Sequence, residues 1–184
     1  MKKRIILASV ILSLCGGSLL YAMTEDVKIW FNNQPLSATG IISDGKVYVP
    51  INELSTEQKS IVQWDPKQKK LTIDKPNVHL TAFGPKPFGQ VSKGHKDPFS
   101  VFAQIDSLKT DLSEIKITIT NPKNKEQVLA TKKVDEQKEH FWFVTNEQKY
   151  LFDETGDYYI RCYMKPTNSK DWFLVSELQI PSTN

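Results

Sequence analysis

Residues 27–73 read VKIWFNNQPLSATGIISDGKVYVPINELSTEQKSIVQWDPKQKKLTI, and this run decides the fold class. Val27, Ile29 and Phe31 alternate with Lys28, Trp30 and Asn32, the period of a half-buried strand. Asn32-Asn33 and Asp44-Gly45 carry the side chains and backbone freedom of tight hairpin turns. Pro50 opens a helix at its first turn, where a missing N–H costs little. The expected helix covers 51–60, with Ile51, Leu54 and Gln58 on its inner face. A second hairpin follows, from Ile61–Trp64 to Leu71–Ile73 around Asp65-Pro66-Lys67.

This order of landmarks (strand, turn, strand, the Tyr48-Val49-Pro50 lead into a short helix, then a Trp-Asp-Pro hairpin) resembles the copper amine oxidase-like N-terminal domain. That module, also called a stalk domain, occurs in cell-surface proteins of Gram-positive bacteria. The resemblance covers about a quarter of the chain. It implies a small antiparallel sheet curled around one helix, over residues 26–75. Gln58 and Lys59 stand where relatives carry Leu and Gly, which implies a thinner apolar stripe and a shorter helix. Copper chemistry belongs to the amine oxidase's catalytic domain, so the resemblance brings no metal with it.

Ahead of this run, Lys2, Lys3 and Arg4 precede an apolar stretch that ends near Ala22, the pattern of a secretory signal over residues 1–22. Three fates are compatible with it. The pattern favours cleavage after Ala22. Leu12-Ser13-Leu14-Cys15 is a poor lipoprotein box, with Leu14 where a small residue belongs, but leaves lipidation at Cys15 open. Retention as an anchor is the third, since Ile5 to Met23 approaches the roughly 20 residues a bilayer requires.

The three basic residues of this leader account for the whole imbalance of 24 basic against 21 acidic residues. The remainder is formally neutral and keeps a single arginine, Arg161. Phosphate clamps use several forked arginines, so nucleic acid is not an expected partner. Without the leader, Cys162 is the one cysteine left, so no internal disulfide is possible. Its place in an apolar-periodic strand marks it as a small core residue.

Residues 76–98, with Pro76, Pro85, Pro87 and Pro98, three glycines and several lysines, read as a connector, in which Val78 to Phe83 has the pattern of one extended strand. From 97 to 181 the expected strands are Phe99–Ile105, Ile115–Thr120, Val128–Val134, Phe141–Val144, Lys149–Phe152, Tyr158–Met164 and Trp172–Ile180. Seven short strands separated by polar turns indicate a β-sandwich. Gly156-Asp157-Tyr158 resembles the Gly-x-Tyr corner of immunoglobulin-like domains. That resemblance implies that the Tyr158 hydroxyl bonds back to nearby backbone, with Ile160, Cys162 and Met164 facing inward. Ile160 stands where the inter-sheet cysteine of antibody domains would be.

The expected architecture is therefore mainly β: a small α+β stalk-type module followed by an immunoglobulin-like sandwich. Candidate chemistry is sparse. His79, His95, His140 and Cys162 have no metal-ligand spacing, and His95 with Asp97 in the connector reads as solvated. Glu25-Asp26, Asp135-Glu136 and Asp153-Glu154 sit at strand ends or turns. No nucleophile elbow, zinc-protease motif or phosphate loop is present. No catalysis, cofactor or metal is expected. The aromatics are the lead. Strand period sets Trp142 opposite Phe141 and Phe143, and Tyr159, Arg161 and Tyr163 opposite Ile160 and Cys162. Trp142, Tyr159, Tyr163 and Trp172 are the candidate ligand-binding residues, as a shared aromatic face. Trp30 is the candidate inter-domain contact.

The functional expectation is an exported, non-catalytic binding or scaffolding protein of the cell envelope. Its partner would be a protein or a wall polymer, with membrane contact only through an uncleaved or lipidated N-terminal segment. A wall-carbohydrate binder that uses the aromatic face is the alternative, and an unrecognised hydrolase or metal-binding protein the second.

Overall fold

The computed structural model describes residues 26–184 and is mainly β, with one helix among them. The leader at 1–22, with Cys15, lies outside the described residues. The chain divides into two compact units, the first ending at Val49 and the second beginning at Pro50.

The described part of the first unit is a three-stranded antiparallel meander: β1 (Asp26–Phe31), β2 (Gln34–Ser43) and β3 (Lys46–Tyr48). Both turns have positive φ at their two central residues, 49° and 62° at Asn32-Asn33 and 50° and 69° at Asp44-Gly45. This is the primed geometry that matches strand twist. Gly40 is required for a different reason: a Cβ there would lie 2.7 Å from the Tyr48 carbonyl oxygen. It is also the single buried residue among 26–49. A three-stranded sheet with so little burial has no core of its own among the described residues.

The second unit opens with α1 (Ile51–Gln58), two residues shorter than the expected 51–60. Lys59 ends it by turning left-handed at φ 56°, and the Ser60 amide donates back to the Ser55 carbonyl at 3.0 Å. Next come β4 (Ile61–Asp65) and β5 (Lys70–Asp74), joined by a turn in which Asp65 Oδ1 accepts from the amides of Lys67 and Gln68. Then follow β6 (Asn77–Phe83), β7 (Pro87–Phe88), β8 (Val91–Ser92), β9 (Ser100–Asp106), β10 (Leu112–Thr120), β11 (Glu126–Lys133), β12 (Phe141–Val144), β13 (Gly156–Pro166) and β14 (Phe173–Thr183). One sheet has the order β11-β10-β13-β14-β8, the other β12-β9-β6-β7.

Each of these sheets buries one face, and the buried residues form one cluster. Val101, Ala103 and Ile105 come from β9, Ile115, Ile117 and Ile119 from β10, and Ile160, Cys162 and Met164 from β13. An aromatic group closes one end, where Phe152 packs on Tyr158 at 4.9 Å, on Tyr150 at 5.1 Å and on Phe99 at 5.9 Å.

Three expectations need correction. Residues 76–98 are not a connector. β6 lies inside a sheet between β9 and β7, with Ala82 fully buried, and β8 runs parallel to β14. The strand pattern of Val78–Phe83 outweighs the prolines, which fall at 76, 85, 87 and 98, outside β6. The compact division after Val49 also differs from a module spanning 26–75, because α1 and the β4–β5 hairpin belong to the second unit. Ile61, 1 % exposed, joins the sandwich cluster, and buried Asp74 accepts from the Lys109 and Thr110 amides at 2.9 and 2.7 Å. Finally, Lys149–Phe152 is not a strand: it makes one isolated bridge, Phe152 with His95, and a second joins the preceding Gln148 to Phe99. Phe152 is buried and Tyr150 partly buried without a continuous ladder.

Candidate functional site

The aromatic face grows out of the alternation along β13. Tyr158, Ile160, Cys162 and Met164 point into the core, so Tyr159, Arg161, Tyr163 and Lys165 point out of the five-stranded sheet. Register sets Tyr163 beside Lys116, Arg161 beside Thr118 and Glu177, and Tyr159 beside Thr120 and Gln179. Arg161 Nε donates to Glu177 at 2.5 Å, Arg161 Nη1 donates to Thr120 Oγ1 at 2.9 Å, and the guanidinium lies 5.2 Å from the Tyr159 ring centre. Burial disfavours the charged guanidinium, but the Glu177 carboxylate outweighs it and holds the Arg161 pKa above its usual value. Tyr163 donates to Glu126 at 3.2 Å, and burial, then the Glu126 charge, raises its pKa.

Trp172, just ahead of β14, joins this face through two ammonium groups. Lys116 Nζ lies 4.7 Å from its ring centre and 4.8 Å from that of Tyr163, and Lys165 Nζ lies 5.6 Å from it. Such contacts contribute roughly 0.5–1 kcal/mol each at exposed sites. Lys165 also pairs with Glu114 at 3.3 Å. The cations of this face are thus engaged by the sheet's own acids and rings.

Tyr159, Tyr163 and Trp172 therefore share one surface, and Trp142 does not. It stands on β12 in the other sheet, 65 % exposed, with its ring centre 5.9 Å from that of Phe102. Because Phe143 fills the shared core from β12, Trp142 must face away from it, on the opposite side of the sandwich. Trp30 is 63 % exposed on β1 of the first unit.

Beside Trp172 the second unit has a groove of about 430 Å³ that sequence reasoning missed. Its walls come from α1 (Asn52, Thr56), from β4 (Val62, Trp64) and from Asp171 to Leu174. Pairing puts Val62, Trp64, Leu71 and Ile73 on one face of the hairpin, opposite Ile61. Trp64 is 60 % exposed there. That unusually apolar second face was the available signal. Lys59 and Glu177, 3.9 Å apart, tie the end of α1 to β14. The groove can hold a ligand by ring contact and hydrogen bonding. Asp171 is the one ionisable residue in its lining, whereas glycoside hydrolysis needs a facing pair of carboxylates.

The histidines do not converge. His95 packs on Phe88 and Phe152, His140 lies 3.3 Å from Asp106, and His79 is exposed on β6. No cluster of three potential metal ligands occurs among the described residues. Cys162 is fully buried, and burial pushes its thiol from 9.0 to about 12. Burial, then the neighbouring Tyr158, pushes the Tyr150 phenol from 10.0 to about 12. Both stay neutral in the fold at pH values where the unfolded chain has ionised. Their contribution to stability is whole below pH 9 and is lost as pH climbs towards 12. Unfolding followed by circular dichroism should show that alkaline loss, and Cys162→Ala should make it shallower. Residues 23–184, which leave out Cys15, should resist thiol labelling at pH 8 in the native state, and stoichiometric labelling of that native fold would contradict this burial.

No protein-family model matches this chain, and its comparison with curated proteins gives no significant match.

Proposed function

We propose that this chain is an exported, non-catalytic binding or scaffolding protein of a Gram-positive cell envelope. Its ligand surface would be the aromatic outer face of the five-stranded sheet. The single observation that carries the binding role is the clustering of Tyr159, Tyr163 and Trp172 on one face. Its charged groups are engaged within the face, Arg161 with Glu177, Lys165 with Glu114 and Lys116 with the Tyr163 and Trp172 rings. Rings held in place by neighbouring cations offer contact area at little entropic cost.

Export rests on the basic, apolar, small-residue leader. The stalk-domain likeness rests on the order of landmarks from Val27 to Ile73. An immunoglobulin-like sandwich is supported by two features. Strand order alternates hairpins between the sheets, β12-β9-β6 in one and β11-β10-β13-β14 in the other. The Glu154 amide also donates to the Tyr158 hydroxyl at 2.9 Å, the bond expected of a tyrosine corner.

Co-sedimentation tests the proposal. Residues 23–184 should pellet with isolated Gram-positive cell walls, and Tyr163→Ala combined with Trp172→Ala should reduce the pelleted fraction by about 5-fold or more, the effect of two lost ring contacts. Protein that stays in the supernatant over saturating wall material would overturn it.

A further inference from the structure

We infer that the groove between α1, β4 and the start of β14 binds an uncharged, N-acetylated wall glycan, with Trp64 and Trp172 as its stacking walls. This rests on the envelope-binding reading above and names the ligand. Three properties of the groove lead to it.

The first is the pairing of two indoles with small polar groups. A pyranose ring has apolar C–H faces and a rim of hydroxyls. It therefore suits a site that offers flat aromatic walls and nearby hydrogen-bonding groups. Here Trp64 and Trp172 come from elements more than a hundred residues apart in sequence, brought to one groove by the docking of the hairpin on the sandwich. Asn52, Thr56 and Asp171 are exposed on its walls, with an amide, a hydroxyl and a carboxylate to meet hydroxyl and acetamido groups.

The second property is charge. No lysine or arginine lines the groove, and its one ionisable group is the Asp171 carboxylate. Lys116 and Lys165 are engaged with the Trp172 ring, Lys165 also with Glu114, and Lys59 at the end of α1 with Glu177. A polyphosphate such as teichoic acid would meet a carboxylate without a counter-charge, which is unfavourable. An uncharged amino-sugar strand meets no such penalty.

The third is shape. At about 430 Å³ the groove is within the roughly 300–1,000 Å³ of small-ligand sites. The hairpin wall is anchored where Ile61 enters the core and its register partner Asp74 bonds the 109–110 backbone, and the α1 wall is tied to β14 by Lys59 and Glu177. It is preformed, so binding does not have to order it.

The test uses residues 23–184 with two probes, a soluble β-1,4-linked N-acetylglucosamine oligosaccharide and cell walls stripped of teichoic acid. The oligosaccharide should bind with a change in tryptophan fluorescence, and stripped walls should pellet the protein. Trp64→Ala and Trp172→Ala should each weaken both interactions by about 10-fold or more. Trp172→Phe should retain most of the affinity, and Trp142→Ala, on the opposite sheet, should leave it unchanged. Trp64 is exposed enough that its replacement should not unfold the chain. Equal losses from Trp142→Ala would overturn the assignment, as would undiminished binding by the Trp64 and Trp172 variants. Binding to intact walls but to neither probe would overturn it while leaving the envelope-binding reading in place. Failure to bind walls of any kind would remove both.

Discussion

Replacing Asp74 with alanine is expected to lower the unfolding free energy by about 3 kcal/mol, within the range for uncapping two partly buried donors. Asp74 closes β5 and is 8 % exposed. Its Oδ2 accepts from the Lys109 amide at 2.9 Å and the Thr110 amide at 2.7 Å, on the loop that leads into β10. Bonds from amides to an ionised carboxylate are stronger than neutral ones. Alanine leaves both donors with no partner in a partly buried corner, and each such donor costs roughly 1–3 kcal/mol. Asp74→Asn keeps an amide oxygen at the same place and should recover at least half of the loss. Urea titration measures this directly, with an unchanged slope showing that the unfolded reference is the same. A loss below about 1 kcal/mol for alanine would mean that these bonds do not anchor the hairpin.

Much of the sandwich was legible because period-2 alternation has a physical cause. Ile115, Ile117 and Ile119 must share a face, as must Tyr158, Ile160, Cys162 and Met164, and all seven are buried. The turns at Asn32-Asn33 and Asp44-Gly45 were readable for the same kind of reason, since positive φ favours those residues. Alternation has a limit, however. It tells which side of its own strand Trp142 occupies, and not which sheet that strand joins. Trp142 and Tyr159 were therefore grouped, although β12 and β13 lie in different sheets.

Residues 76–98 misled for a compositional reason. Prolines and lysines usually mark connectors, but β7 and β8 are two-residue strands at sheet edges, where few backbone donors are needed. Asp74 gave no sequence signal either, because a carboxylate at a strand end is ordinarily solvated. Its role comes from a backbone more than thirty residues away. Trp64 was visible only as a landmark of the hairpin. Its place beside Trp172 depends on a tertiary contact that no local pattern encodes.

That contact is the core of the account: α1 and the β4–β5 hairpin are part of the sandwich unit, and the groove exists because they are. Ile61 and Val62 are 1 % and 6 % exposed, and Ile61 packs in the cluster formed by the two sheets. A fragment ending at 76 strips Ile61 of those neighbours and Asp74 of both donors, and fifty residues without a disulfide have little else to bury. The most direct test compares the thermal unfolding of residues 50–184 with that of residues 23–76. The 50–184 fragment should unfold in one cooperative transition with native-like near-ultraviolet dichroism of its tryptophans, and 23–76 should show no cooperative transition. A cooperative, stable melt of 23–76, with 50–184 unfolded, would contradict the account.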